Sequence, residues 1–229
     1  ISEGNDILGK FNPGLGAQDF TIDGGAKFVP KGSDLIFELH YTSTGKPTAD
    51  ASKLGLVLAK EPPKVRYALM SGPTASNLQI WPGDSNAEVV SEITMTSNVK
   101  LAYVQPHMHL RGKDFEMRLI FPSGETKTVL KGKWNFDWHL GYDLTEPIDM
   151  PVGTRIVSIC HFDNSAANKA NPDPKNWVGD GQRTIDEMGF AWIGWYDLTE
   201  EEYKDQVAQR KAERAKKVNT TQQQQQQQQ

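Results

Sequence analysis

Over residues 1–199 the apolar positions fall in short runs of four to eight, continuous or alternating with polar residues, and Gly, Pro, Asn or Asp closes each run. Runs of that length with period-two alternation predict β-strands rather than helices, whose apolar positions recur every three to four residues. The predicted strands are residues 35–41, 54–59, 88–95, 99–104, 115–121, 126–130, 143–144 with its flanks, 155–162 and 190–196. Turn chemistry separates them, most clearly at Pro122-Ser123-Gly124 and Pro151-Val152-Gly153. Many short strands with no helices between them predict an all-β fold, an antiparallel jelly-roll sandwich.

The pattern changes in two places. Glu61-Pro62-Pro63 stops a strand and reads as a domain junction. Residues 1–62 before it are Gly-rich and poor in core residues, so they are expected to be the C-terminal part, or a remnant, of a preceding jelly roll. Residues 63–199 form the second jelly roll. Beyond Thr199, the run Thr199-Glu200-Glu201-Glu202 is a capping box, and the following stretch passes from acidic to basic at Lys216 and Lys217, matching a helix dipole. Residues 200–229 are therefore expected to be a mostly solvated helix followed by a disordered tract, Gln222 to Gln229.

Composition narrows the function classes. The net charge of −4 and the mixing of both signs leave no broad basic face, so nucleic acid is not an expected partner. The longest apolar runs are strand-sized, well below the ~20 residues of a membrane helix, and no membrane span is expected. Cys160 is the only cysteine, which excludes an internal disulfide and a cysteine-based zinc or iron–sulfur site. The chain starts at Ile1 without an initiator Met or a charged-then-apolar leader, the expectation for a mature or excised product.

Five histidines carry the candidate chemistry. In extended chain, side chains two apart share a face, so His107 and His109 of His107-Met108-His109 can converge on one metal ion while Met108 points away. Met188, in Asp186-Glu187-Met188 just before the last predicted strand, offers a soft thioether that suits Cu(I) and offers little to magnesium or calcium. His40 lies near the end of the strand at 35–41, on its polar face. His161 alternates with Ile159 and Val157 and reads as a hydrogen-bonded structural residue. His139, in the aromatic run Trp134-Asn135-Phe136-Asp137-Trp138-His139, either lines a pocket or packs at a surface. The chain holds no Gly-x-Ser-x-Gly elbow, no phosphate-binding Gly loop and no His-Glu-x-x-His helix.

Leu39-His40-Tyr41 with Gly55-Leu56, Pro106-His107-Met108-His109-Leu110-Arg111-Gly112 and Asp186-Glu187-Met188 occur in an order and spacing that resembles the copper type II, ascorbate-dependent monooxygenases. His161-Phe162-Asp163-Asn164-Ser165 and Asn171-Pro172-Asp173-Pro174 make the likeness greatest to bacterial exported members, and it covers nearly all of residues 31–196. The resemblance implies two jelly rolls facing each other across a cleft, each with one copper. His107, His109 and Met188 match the copper that handles oxygen and substrate; His40 matches the last of three histidines that hold the electron-transfer copper. It further implies ascorbate as reductant, O2 and a small organic substrate, and a periplasmic or secreted location, with the lack of disulfides fitting a bacterial periplasm.

This sequence departs from that pattern in one respect. His40 is the first histidine of the chain, so the earlier His pair of the electron-transfer copper is not in it. Residues 1–62 are accordingly expected to be covered by a partner chain or by an N-terminal segment outside this sequence. Two functions follow: copper-dependent hydroxylation of a C–H bond, or a non-catalytic structural or accessory subunit that keeps the monooxygenase fold. A zinc-binding hydrolase or binding module is a weaker third, against which Met188 argues.

Overall fold

The computed structural model describes residues 7–12, 14–21, 24–41, 43–75 and 77–198, together with six positions between 201 and 212. Eleven strands are present among them: β1 (Gly25–Ala26), β2 (Val65–Ser71), β3 (Gln79–Ile80), β4 (Ala87–Thr94), β5 (Val99–Met108), β6 (Gly112–Ile120), β7 (Thr126–Lys133), β8 (Tyr142–Met150), β9 (Arg155–Phe162), β10 (Val178–Gly179) and β11 (Gly189–Asp197). One sheet runs β1-β2-β11-β5-β8, a second runs β4-β9-β6-β7, and β10 pairs with β3 in a short ribbon. Numbered along the chain, the eight long strands place first, eighth, third and sixth in one sheet and second, seventh, fourth and fifth in the other. That order is the double Greek key of a jelly roll, and the fold is all-β as the apolar pattern predicts.

Alternation explains which face each strand buries. Leu101, Val104 and Met108 of β5 pack against Phe115, Met117 and Leu119 of β6 and against Ile156, Cys160 and Phe162 of β9, with Ala191, Ile193 and Trp195 of β11 in the same core. Burial pushes the Cys160 thiol up to about 12, so it behaves as a small apolar core residue. The two marked turns form as expected, Gly124 and Gly153 both adopting φ of 85°, a conformation that only glycine takes without strain.

Pro106, which reads as an interruption in the sequence, lies inside β5 opposite Ala191. The pairing of β5 with β8 ends at Val104 and Tyr142. Pro106 therefore stands where β5 has a neighbour on one side only, the place in a sheet that tolerates a missing N–H.

Two predicted strands are absent. Residues 35–41 and 54–59 form no strand, and their apolar side chains are exposed, Ile36 to 94 % and Val57 to 102 %. Their alternation is that of strands, but no neighbouring strand pairs with them, and an extended chain without a ladder partner satisfies its backbone through water. The described residues before them, 7–12, 14–21 and 24–26, instead join the sandwich. Ile7 N–H donates to the Leu69 carbonyl, Lys64 N–H donates to that of Gly24, and β1 pairs in parallel with β2. Beyond residue 198, Glu201, Glu202, Lys204, Asp205, Ala208 and Ala212 are helical, in agreement with the expected helix. The capping Thr199 and the Gln tract lie outside the described residues. No helix among the described residues is long and apolar enough to cross a membrane.

Because core and peripheral segment differ so sharply in burial, their mutational costs should separate. Ile156→Ala or Leu119→Ala is expected to lower the unfolding free energy by ~2–5 kcal/mol, and Ile36→Ala by less than ~0.5 kcal/mol, as measured by urea denaturation of the purified chain. Comparable losses at Ile36 would show that residues 27–63 belong to the folded core.

Candidate metal centre

A second layer covers the outer face of the β2-β11-β5-β8 sheet. Tyr103, Gln105 and His107 of β5 point away from the sandwich core, and so do Phe190 and Trp192 of β11. His107 lies opposite Phe190 in register, with ring centroids 4.7 Å apart. One residue further along each strand, Gly189 pairs with Met108. The ladder ends at that pair, so His107 stands on the outer sheet face, His109 follows the end of β5 and Met188 precedes the start of β11, while Met108 is fully buried in the core behind.

The imidazole centroids of His107 and His109 are 5.2 Å apart with their planes at 84°. Two imidazoles bound to one ion through bonds of about 2 Å hold their centroids at about this separation. His109 is buried, and its Nδ1 lies 3.0 Å from the Asp186 carbonyl. A carbonyl only accepts, so Nδ1 carries the hydrogen in the neutral ring, the arrangement by which neighbouring groups orient a metal-binding histidine. Burial, with the like charges of His109, His139, Lys10 and His40, pushes His107 down to about 3, and burial also lowers His109. Both rings are neutral at pH 7, the form that binds metal.

The turn carrying His109 is held from beneath by a buried carboxylate. Glu187 is fully buried; its Oε2 accepts the His109 N–H at 3.0 Å and its Oε1 accepts that of Arg111 at 2.7 Å. The Arg111 guanidinium lies 3.6 Å from Oε1, donates from Nη1 to the Ile185 carbonyl at 2.8 Å, and donates from Nε to Asn164 Oδ1 at 2.9 Å. Asn164 in turn donates to the carbonyls of Trp81 and Asn176, and Asn171 donates to its Oδ1. The motifs around 161–165 and 171–174 are therefore supports for the loop that ends in Met188. Burial raises the Glu187 carboxyl to about 7, against the opposite pull of the two N–H groups and Arg111.

The structure adds His139 to the neighbourhood. It is 5 % exposed, its ring centroid lies 5.5 Å from that of His107, and its Nδ1 is buried without a hydrogen-bond partner. Trp134 packs edge-on against it at 4.6 Å and donates from Nε1 to the His109 carbonyl, while Gln105 Nε2 donates to the His139 carbonyl at 2.8 Å. Gly112 makes this approach possible, since a Cβ there would lie 2.4 Å from the Trp134 ring. The aromatic run was the only sequence signal for His139, because loop 134–141 reaches the site through tertiary contacts alone. Lys10 also arrives from a distant segment. Its amine sits 4.4 Å from the Trp192 ring centroid, and burial lowers it to about 6, so it is uncharged at neutral pH.

His40 is not drawn into this cluster; it is exposed and 2.9 Å from Glu38 Oε1. His161 is the hydrogen-bonded residue expected from its strand, with Nδ1 2.7 Å from Asp114 and Nε2 3.3 Å from Glu88. Among the described residues no three His, Cys, Asp or Glu side chains are grouped to hold a metal ion. Two imidazoles with a thioether are a donor set that suits copper, and the resemblance implies Met188 as the thioether.

No protein-family model matches the chain, and no curated protein matches it. Solved structures with some likeness include the family 32 carbohydrate-binding module of C. perfringens NanJ in complex with galactose, with TM-score 0.30 and 8 % identity over 56 % of this chain and 76 % of that one. They also include the T13 particle of infectious bursal disease virus, with TM-score 0.25 and 10 % identity over 68 % of this chain and 41 % of the viral one. The VP2 subviral particle of that virus gives TM-score 0.25 and 11 % identity, over 64 % of this chain and 42 % of that one. The jelly roll rests on the strand order itself and not on these likenesses.

Removing the buried support should loosen the site as well as the fold. Glu187→Ala is expected to cost ~3–5 kcal/mol, because it strands the Arg111 charge and two N–H groups. Glu187→Gln should cost less, since its amide oxygen still accepts. Chemical denaturation of the two variants beside the parent reads the difference; equal stability of Glu187→Ala and the parent would remove Glu187 as the anchor.

Proposed function

We propose that this chain is a copper-binding, ascorbate-dependent monooxygenase-like protein that hydroxylates a C–H bond of an organic substrate, in the manner of the exported bacterial enzymes its sequence resembles. The observation that carries the reading is the pair of His107 and His109 imidazoles at a separation suited to a shared ion; Met188, next to the Glu187 that holds the His109 turn, is the third donor that the resemblance implies. Copper held there would supply one-electron redox chemistry, ascorbate contributing two electrons and two protons so that O2 yields one hydroxyl and one water.

The protein's own residues prepare that site in three ways. Burial keeps the imidazoles unprotonated. The Asp186 carbonyl fixes the His109 tautomer, and the Glu187–Arg111 pair holds the His109 turn against the Met188 loop. Phe190, Trp134 and His139 surround His107 and limit the water around it. A thioether donor favours the reduced metal, which is why Met188 is assigned the larger effect on Cu(I).

Copper content and ascorbate-dependent O2 uptake test the reading. The parent is expected to bind copper and to consume O2. His107→Ala should lose both, and Met188→Ala should keep Cu(II) while losing Cu(I) affinity by about tenfold or more, roughly the loss of one ligand. Equal copper content and equal turnover in all three proteins would exclude the site.

One observation favours the alternative of a non-catalytic subunit in a larger assembly. Residues 28–58 expose Phe28, Leu35, Ile36, Phe37, Leu39, Leu56, Val57 and Leu58 together, a stretch more apolar than isolated chains usually present. The native mass of the protein isolated from its source distinguishes the two: a free, active monomer supports the enzyme alone, and an inactive protein found only in a complex supports the subunit.

A further inference from the structure

A separate cavity lies on the same sheet face. Residues 14–20 enclose, with Tyr67 and Leu69 of β2, Tyr103 of β5, Gly141, and Asp143 of β8, a space of about 160 Å³. At ~30 Å³ per liquid water it has room for several water molecules. Sheet register builds it: Asp143 of β8 stands directly opposite Tyr103 of β5, and Tyr67 of β2 opposite Tyr196 of β11. Two glycines let the phenols lie close. A Cβ at Gly141 would fall 2.0 Å from the Tyr103 hydroxyl, and one at Gly194 would fall 2.7 Å from that of Tyr67.

The polar groups around this space are unevenly matched. Asp143 has no hydrogen bond or ion pair among the described residues, and both burial and the like charge of Asp19 at the rim raise its carboxyl. Tyr67 is 2 % exposed, yet its hydroxyl has no hydrogen-bond partner among the described residues, and the Asp143 charge is near enough to raise its phenol further. The Tyr103 hydroxyl, in contrast, donates to Gln105 at 3.1 Å. Phe20 and Tyr67 present tilted rings 5.2 Å apart. The Lys10 amine, uncharged at neutral pH, sits 4.4 Å from the Trp192 ring centroid and 5.6 Å from that of Tyr103, and Lys27 lies 5.2 Å from the Phe20 ring; neither lines the cavity.

Two carboxylates at the rim of an aromatic hollow repel anions, and the excess negative charge gains nothing from a neutral apolar guest. Aromatic faces beside Asp143, which has no partner among the described residues, and Asp19, whose Oδ1 accepts the Thr21 N–H at 2.8 Å, are the surroundings that attract an organic cation. A bare metal ion is poorly served, because phenols whose ionisation is suppressed are weak ligands and no grouped metal donors occur among the described residues. We propose that this cavity binds a small organic ammonium ion, its cationic group between Asp143, Asp19 and the rings of Tyr67 and Tyr103. The free Tyr67 hydroxyl favours a guest that also carries a hydrogen-bond acceptor, such as an amino alcohol.

This site does not depend on the copper reading. Tyr103 is four residues from His107 along β5, about 13 Å at ~3.3 Å per residue. The two are joined through protein all the same, by Tyr103 to Gln105 and from Gln105 to the His139 carbonyl.

Titration calorimetry on the metal-free full chain tests the proposal with choline and with 3,3-dimethylbutan-1-ol, its neutral isostere. Choline is expected to bind in the millimolar range or tighter and the isostere not to bind. Asp143→Asn should weaken choline at least about tenfold, with circular dichroism and thermal melting establishing that the variant folds. Asp19→Asn, on the exposed strap, provides a second variant with a smaller loss and serves if Asp143→Asn does not fold. Choline binding no tighter than the isostere, or unchanged in the folded variants, would overturn the cation site whatever the outcome at His107.

Discussion

Two N–H groups pointing at one buried carboxylate organise this end of the molecule. Glu187 has no contact with solvent, and the groups that compensate its charge are the backbone of His109 and Arg111 and the Arg111 guanidinium. A buried charge is tolerable only with such partners, and removing any of them leaves the others costly. The geometry of the His109 turn and of the loop leading to Met188 is thereby coupled. Asn164 extends the coupling to residues 81 and 176 through its own hydrogen bonds. A polar network of this kind can hold ligand-bearing loops more firmly than apolar packing alone, because each hydrogen bond specifies a direction as well as a distance.

The outer face of the β2-β11-β5-β8 sheet would be expected to meet water in a simple sandwich. Here it carries a second layer. Lys10 rests on Trp192, Phe20 packs against Tyr67, and loop 134–141 brings Trp134 and His139 against His107. This cover excludes water from the imidazoles and lowers their basicity. It also leaves the acidic hollow beside Tyr103. A metal-binding end and a cation-binding end on one sheet face would share the rigidity of β5 and the Tyr103–Gln105–His139 connection.

Residues 27–63 behave differently from everything around them. Residues 35–41 and 54–59 have the alternation of strands and none of the pairing, so their apolar side chains remain in water. His40 belongs to this segment, and its imidazole, although solvent-exposed, is close enough to be felt at His107 and His109. The same stretch is therefore both the part of the chain least supported by the sandwich and the part whose chemistry approaches the candidate centre.

Local pattern was sufficient to locate the long strands from residue 88 onward, though not the two-residue β10, and for the pairing of His107 with His109, because alternation and the two-residue repeat are properties of the chain itself. The spans 155–162 and 190–196 correspond closely to β9 and β11, and the turns at Gly124 and Gly153 occur where their residues demand. Where a strand needs a neighbour, pattern was not enough: residues 35–41 and 54–59 read as strands and found no partner, whereas β2 was missed because its two faces are covered by different layers. The loop that ends at Met188 came to the His109 turn through Glu187, and His139 came to His107 through loop docking, across many intervening residues. Sequence by itself determined the all-β architecture and the chemical types of the candidate ligands. Tertiary structure decided which of them meet, because contacts between distant segments depend on the cooperative packing of both sheets and on the buried Glu187–Arg111–Asn164 network, neither of which is encoded in any local period.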